Sequence, residues 1–334
     1  MTAFTLAAPA KINLGLRVLG RRDDGYHELV TIFAAIELCD RLVMRAIEEP
    51  VTRLHLMLST DRGLPVHADA DNLVVRAAEA FRRAADCTAG LEIRLEKRIP
   101  AGAGLGGGSA DAAATLVLAD ALFRGRVERQ RLLDLAASLG ADVPFFLAGP
   151  FRESSACFAR GIGERLWPIA TPSPSDVVLI LPPVGTSTPL VFRTLGASLI
   201  DRAALASLPG SEAPTATELA LIEASDNQLE PPAMACTPEL REIRDRLIES
   251  GIDGVRMSGS GSTLFARAES PASAERLARS VRAALDSLGN LGSRTQVIAT
   301  RILGQPLRPA PIDWPLDRAA EGLRDRPAAS GGPS

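Results

Sequence analysis

Ile99-Pro-Ala-Gly-Ala-Gly-Leu-Gly-Gly-Gly-Ser109 is the stretch on which the reading of this chain turns. Five glycines fall within seven residues: Gly102, Gly104, Gly106, Gly107 and Gly108. Lacking side chains, such a backbone approaches a ligand closely and takes turns closed to other residues. Before it, Leu91 to Ile99 alternates, with Leu91, Ile93 and Leu95 on one face and Glu92, Arg94 and Glu96 on the other. That is the period of a strand. After it, Ser109 to Phe123 is rich in Ala and Leu, both strong helix formers. A glycine loop between a strand and a helix N-terminus converges unpaired N–H groups on one place, and a triphosphate is the natural guest.

Three readings of the loop compete. Gly102, Gly104 and Gly107 fit G-x-G-x-x-G, a weak sign of a dinucleotide site. The amphipathic strand before it, well inside the chain, counts against that. A Walker loop needs Lys after its last glycine, whereas Gly108 and Ser109 follow Gly107, so that reading fails. A flexible connector is the plain alternative.

Outward from the loop, Ala10 to Leu19 alternates: Ile12, Leu14, Leu16 and Val18 on one side, Lys11, Asn13, Gly15 and Arg17 on the other. It reads as a half-buried strand. Gly20 to Gly25 is a turn, and Leu29 to Leu38 and Arg41 to Ile47 read as two further strands. Asp71-Asn72 starts a helix over Leu73 to Ala85, and Glu128 to Leu139 is another, stopped by Gly140. Thr171-Pro-Ser-Pro-Ser175 is a linker candidate. Beyond it come strand Asp176–Leu181, helix Glu239–Ser250, strands Gly254–Met257 and Thr263–Ala268, and helix Pro271–Leu288 with Ser270 as N-cap. Strand Thr295–Ile302 comes last, and at least one more helix falls within Asp201–Leu208 or Pro214–Ala224. The expected organisation is α+β in two domains, residues 1–170 and 171–304, with a disordered or loosely docked Pro/Ala/Gly/Arg-rich tail over 305–334.

With 334 residues, 46% of them hydrophobic, 23% charged and a formal net charge of −3, the chain has the composition of a globular protein. No basic field advertises nucleic acid or an anionic membrane, and no apolar run reaches the ~18–20 residues of a membrane span. The N-terminus lacks a basic region like that of a secretory signal. The four cysteines and three histidines have no metal-ligand spacing. A cytoplasmic protein acting on small molecules, with reduced thiols, is expected; oligomeric state is not legible.

Three segments resemble motifs of the GHMP kinase superfamily: Ala10-Lys-Ile-Asn-Leu14, Pro100 to Ser109, and Met257-Ser-Gly-Ser-Gly-Ser-Thr-Leu-Phe265. Arg22-Asp-Asp-Gly-Tyr-His-Glu28, Asp71-Asn-Leu-Val-Val-Arg76, Gly140-Ala-Asp-Val-Pro-Phe-Phe146 and Gly161-Ile-Gly-Glu164 narrow it. In this order they resemble the family that phosphorylates the 2-hydroxyl of 4-diphosphocytidyl-2-C-methyl-D-erythritol with ATP, in the non-mevalonate route to isoprenoid precursors. The resemblance covers roughly residues 8–305. It implies a ribosomal-protein-S5-like first domain, a ferredoxin-like second domain, ATP as donor and Mg²⁺ with it, though the loop has glycine where several relatives have a metal-binding serine. No protein ligand for Mg²⁺ is assigned. Another GHMP kinase, acting on homoserine, mevalonate or a sugar, and a catalytically idle ATP-binding sensor are the alternatives.

Candidate residues follow. Asp142, shortly before Pro144, suits a helix N-cap on its own; the resemblance makes it the general base. Lys11 reads alone as a surface lysine; in the family its counterpart approaches the aspartate and the reacting hydroxyl. Asn13 stands two residues along on the same face. Asn72, Pro100, Gly102, Gly104, Leu105, Gly106, Gly107, Gly108 and Ser109 are the expected nucleotide site. Tyr26, the chain's one tyrosine, could stack on a pyrimidine or simply pack on the strand, and His27 could bond its edge. Thr188 and Phe192 match the family's hydroxyl donor and second aromatic, although Phe192 is equally well explained as core.

Overall fold

The computed structural model describes residues 2–58, 64–195 and 213–314. In chain order the first half contains β1 (Thr2–Arg21), β2 (His27–Ile47), β3 (Thr52–Leu58), α1 (Leu73–Ala84), β4 (Gly90–Lys97), α2 (Gly107–Leu122), α3 (Arg129–Leu139), α4 (Val143–Ala148), β5 (Ala156–Gly161) and β6 (Arg165–Ile169). The second contains β7 (Asp176–Leu181), α5 (Thr188–Thr194), α6 (Ala216–Ala224), α7 (Glu230–Cys236), α8 (Pro238–Glu249), β8 (Arg256–Met257), β9 (Leu264–Ala268), α9 (Pro271–Leu285), α10 (Gly289–Arg294) and β10 (Gln296–Arg301). A last strand, β11 (Ala310–Asp313), returns to the first half.

Seven strands form the first sheet, in the order β11-β1-β2-β4-β3, with β5 and β6 extending from β2. The 21-residue β2 serves both branches, pairing through Leu29–Ala34 with β5 and through Arg41–Ile47 with β4. Two strands were expected here, separated at Cys39-Asp40. The chain instead continues as one strand, and the irregularity appears as a register shift in which Pro9 and Ala10 of β1 face Cys39 and Ile36, leaving Glu37 and Leu38 of β2 unmatched. The second sheet is four-stranded and antiparallel, ordered β10-β7-β9-β8.

Helices α1 to α4 cover one face of the first sheet around Phe33, Phe81, Phe145 and Leu116. The other face meets the second sheet in a layer containing Ile12, Leu14, Ile32, Leu179 and Phe265. β1 is therefore covered on both sides, which corrects the half-buried reading: Lys11 and Asn13 are as deeply buried as their apolar neighbours. α2 is Ala-rich because it is enclosed; Ala110, Ala112, Ala113 and Ala114 are all fully buried.

Among the described residues, three helix starts are capped by side chains. Asn72 caps α1, its side chain accepting from the Val74 N–H at 2.9 Å. Ser270 caps α9, and Thr215 with Glu218 makes a capping box on α6, one of the two places expected for a further helix. The other, Asp201–Leu208, lies outside the described residues. α2 starts at Gly107, two residues before the expected Ser109, and α9 ends at Leu285 in a 3₁₀ turn over Asp286–Leu288.

The tail also differs from expectation in its first part. β11 pairs antiparallel with β1, Thr2 opposite Asp313 and Thr5 opposite Ala310. Trp314 then lies over two guanidinium groups, 4.4 Å from Arg45 and 4.9 Å from Arg94. Pro and Ala do not hide a strand that only has to cover a sheet edge. Residues 315–334 fall outside the described part.

Candidate active site

The glycine loop is held from four directions. The carbonyl oxygens of Ala101, Ala103 and Leu105 accept from the N–H groups of Leu64, Thr263 and Lys11 at 2.9, 3.1 and 2.9 Å. That of Gly104 accepts from Ser258 Oγ at 3.0 Å. A flexible connector would not have its carbonyls bonded to other elements. With the acceptors engaged, the first-turn N–H groups of α2, beginning at Gly107, remain for a ligand. Gly106 forms the N-cap with φ of +67°, a conformation that favours glycine.

Several loop glycines also serve close packing. A Cβ on Gly104 would meet the backbone oxygens of Ser258 and Gly261, and one on Gly106 would lie 3.0 Å from the Lys11 side chain. At Gly107 the neighbour is Ile99, at 2.9 Å. Only Leu73, at 3.5 Å, stands near a Cβ on the exposed Gly108.

In front of the loop opens a cavity of about 1300 Å³. Lys11, Asn13, Asp142, Gly102, Gly104, Gly106 and Ser109 line it, as do Tyr26, His27, Thr188 and Phe192. The structure thus brings the expected catalytic, phosphate-loop and acceptor residues to one space. It does not bring all of them: Leu105 is in the core between the sheets, Pro100 and Gly107 are buried, and Gly108, though exposed, is not among the lining residues. Asn72 spends its side chain on α1 and on the His67 carbonyl, at 2.7 Å.

Lys11 Nζ donates to Asn13 Oδ1 at 2.7 Å, Asn13 Nδ2 to Thr31 Oγ1 at 2.9 Å, and Thr31 to the Gly15 carbonyl at 2.6 Å. This buried relay fixes the ammonium at the cavity wall, 3.7 Å from Asp142 Oδ2. Burial holds the Lys11 pKa below its ordinary value, while the negative charge of Asp142 opposes that shift. Asp142 occupies the N-cap position of α4, yet its backbone is helical and its side chain makes no capping bond. The carboxylate is turned to the cavity instead.

At the far end, the His27 ring stacks on Phe192, with centroids 4.9 Å apart and planes at 26°. Burial, then the positive charge of Arg21, lowers the His27 pKa, so the ring is neutral at neutral pH. Tyr26 beside it is 61% exposed. Thr188 shares a 2.7 Å hydroxyl contact with Ser260.

Sequence reasoning missed other lining residues. Gly259, Ser260 and Gly261 belong to the recognised Met257–Phe265 motif, whose glycine density was the available signal. Arg21 and Arg193 also line the cavity, but nothing local sets them apart from other surface arginines. Leu64 comes from a distant segment; its side chain lies 2.6 Å from a Cβ on Gly102.

Comparison with known proteins agrees with this geometry. The chain matches the GHMP kinases N terminal domain over residues 72–150 and the GHMP kinases C terminal domain over residues 208–287. It is 46% identical over 282 residues to the 4-diphosphocytidyl-2-C-methyl-D-erythritol kinase of Thermus thermophilus, covering 83% of this chain and 92% of that protein. The enzyme of that name from Rhizobium meliloti is 41% identical, covering 84% of this chain and 91% of the relative. A crystal structure of 4-(cytidine 5'-diphospho)-2C-methyl-D-erythritol kinase superposes with a TM-score of 0.68 at 40% identity, over 90% of this chain and 100% of that one. Homoserine kinase from Cytophaga hutchinsonii, at 20% identity and a TM-score of 0.66 over 93% of this chain and 97% of that one, shares the fold. The chain belongs to the GHMP kinase superfamily, in the branch of the 4-diphosphocytidyl-2-C-methyl-D-erythritol kinases.

Proposed function

We propose that this protein transfers the γ-phosphate of ATP to the 2-hydroxyl of 4-diphosphocytidyl-2-C-methyl-D-erythritol, releasing ADP and the 2-phosphate. The observation that carries the reading is the Lys11–Asp142 pair, set between the glycine loop and the Tyr26-His27 corner in one cavity. In-line transfer needs donor and acceptor to meet from opposite sides of the moving group, and this arrangement supplies two sides.

The roles follow from the chemistry of each group. Asp142 accepts the hydroxyl proton as the oxygen attacks. Lys11 offsets negative charge on the attacking oxygen and the phosphoryl group. The loop and the first turn of α2 hold the triphosphate through backbone N–H groups. Tyr26 stacks on the cytosine, neutral His27 bonds its edge while Phe192 supports the imidazole, and the Thr188 hydroxyl bonds the acceptor. Arg21 and Arg193 face the acceptor's diphosphate.

Magnesium accompanies the nucleotide in this reading. Among the described residues no three ligating side chains gather, and Asp142 is the one carboxylate lining the cavity. That donor set fits a metal carried on phosphate oxygens rather than one caged by protein. When bound there, it neutralises charge on the β- and γ-phosphates. We place the boundary between the two units near Thr171–Ser175 and the reaction in the cytoplasm; no helix among the described residues is long and apolar enough to cross a membrane.

An ADP-release assay offering the diphosphocytidyl substrate, homoserine and mevalonate in turn tests the assignment. Turnover with the first alone is expected. Turnover with homoserine or mevalonate instead would replace the substrate assignment and leave the kinase chemistry standing.

A further inference from the structure

We propose that Asn227 is a positioning residue for phosphoryl transfer, holding the backbone of Gly259 against the Lys11 ammonium. The inference rests on the roles given to Lys11 and Asp142 above.

Asn227 lies between α6 and α7 and is 2% exposed. Its turn is tied to β1, the strand that carries Lys11. Asn227 bridges to Leu16, the Gln228 N–H donates to the Leu16 carbonyl at 3.0 Å, and the Val18 N–H donates to Gln228 Oε1 at 2.6 Å. From this anchor the Asn227 side chain reaches the other way. Nδ2 donates one proton to the Met257 carbonyl at 2.8 Å and the other to the Gly259 carbonyl at 2.7 Å. Oδ1 accepts from the Leu229 N–H at 2.9 Å. A neutral double donor is the group this place demands: two carbonyls converge on it, and a carboxylate would offer them no proton.

Gly259 is where that hold reaches the chemistry. With φ of +57°, it points the place of its missing Cβ to within 3.1 Å of Lys11 Nζ and 3.5 Å of Asn13 Oδ1. The Gly259 backbone is therefore a wall of the ammonium's pocket. Phe33 from β2 lies 5.4 Å away as another wall, and the lysine stem packs at Gly106. Asp142 is the titratable group that acts on Lys11. Glu230 steadies the same loop differently: its Oε2 accepts from the Met257 N–H at 2.9 Å, two residues before Gly259. Without Asn227, two buried carbonyls lose their donor, the 257–259 backbone relaxes and water reaches Lys11.

A purely structural role would lower stability. A positioning role also moves the pH profile. Transfer needs charged Lys11, so kcat falls as pH rises through the lysine's pKa. Burial holds that pKa down; admitting water raises it, so the basic limb should move to higher pH.

The experiment compares kcat–pH profiles and melting temperatures of wild type, Asn227→Ala, Asn227→Ser, Glu230→Ala and Lys11→Gln. Asn227→Ala should lose about tenfold or more in kcat, keep KM for ATP within about threefold, and show the raised basic limb. Asn227→Ser, which retains one donor, should fall between it and wild type, and carries the test if Asn227→Ala does not fold. Glu230→Ala should lower the melting temperature and leave the limb in place. Folded Asn227 variants whose limb stays unmoved, beside an inactive Lys11→Gln, overturn the proposal alone. A folded Lys11→Gln with near-normal turnover overturns the role of Lys11, and the proposal with it.

Discussion

Lys11 Nζ and Asp142 Oδ2 stand 3.7 Å apart, too far for a closed hydrogen bond and near enough for each charge to act on the other. The lysine's short bond goes to Asn13, at 2.7 Å, which leaves the aspartate's oxygens open to a substrate hydroxyl. In the proposed reaction the pair serves as base and counter-ion. Asp142→Asn should therefore keep the fold and ATP affinity while losing about 10²–10⁴-fold in turnover. Near-normal kcat in the folded variant would leave Asp142 as no more than the residue before α4.

The loop glycines should separate into two classes under mutation. Gly104→Ala drives a methyl group into the Gly261 backbone at a φ of +76°, so it should lower thermal stability as well as activity. Gly108→Val meets only Leu73, and should weaken ATP binding with little change in melting temperature. Calorimetry that finds ATP affinity intact in Gly108→Val would place the phosphates elsewhere.

Beneath the loop, Lys97 is buried with Asp40 and Asp111, donating to Asp111 at 2.8 Å and also to Asp40. Burial, with the Asp40 charge adding to it and Lys97 opposing, pushes the Asp111 carboxyl up to about 8 from an ordinary 3.8. Between those values the folded state holds a proton that the unfolded state has released, so stability falls as pH rises through that window. The contribution is at most about 1.4 kcal/mol per pH unit. Lys97, also raised, loses its contribution only above its ordinary 10.5. Urea unfolding of Asp111→Asn between pH 5 and pH 8 should give a flatter dependence than wild type. Parallel slopes would mean that Asp111 stays ionised in the fold.

β11 and Trp314 make the start of the tail structural. Trp314→Ala removes the ring from Arg45 and Arg94 and should cost about 1–2 kcal/mol. Differential scanning calorimetry should show a melting temperature lower by a few degrees, with kcat unchanged. A wild-type melting curve would mean that the ring contact adds nothing.

What the sequence disclosed was mainly what neighbours in sequence decide. Asn72 before an apolar-periodic run set the start of α1, and Asp176–Leu181 emerged with the bounds of β7. The alternation of Ala10 to Leu19 located a strand and put Lys11 beside Asn13. It did not reveal that helices cover the polar face, because alternation reports a difference between faces and not what lies over them. Cys39-Asp40 suggested a break for a similar reason. Asp40 is polar because Lys97 waits 57 residues later, and its Oδ1 accepts from the N–H groups of Arg98 and Ile99. The hold of Asn227 on Gly259 and the cover of Leu64 on Gly102 are likewise relations between distant segments. Neither residue advertises its partner by type or spacing.

Tyr26 is the residue to which the proposed function gives the cytosine stack. Its ring is 61% exposed on a turn whose backbone is fixed independently: the Tyr26 N–H donates to Asp24 Oδ1 at 3.1 Å, and its carbonyl accepts from the Arg22 N–H at 2.8 Å. Tyr26→Ala should therefore leave stability almost unchanged, and any functional loss reads as loss of recognition. Removing one stacking face should cost about 1–3 kcal/mol, or roughly 5- to 150-fold in affinity. The loss should fall on the Michaelis constant if stacking is equal in ground and transition states. ATP handling should be spared, because the ring belongs to the β1–β2 turn while the proposed triphosphate site is the glycine loop. His27→Ala and Phe192→Ala should act in the same direction, Phe192 through the imidazole it stacks on. The deciding measurement is the affinity of wild type and Tyr26→Ala for a cytidine-diphosphate fragment beside that for an ATP analogue. Selective loss of the fragment supports the cytidine site. Equal weakening of both ligands, or none, would leave a GHMP kinase whose acceptor is recognised by other means.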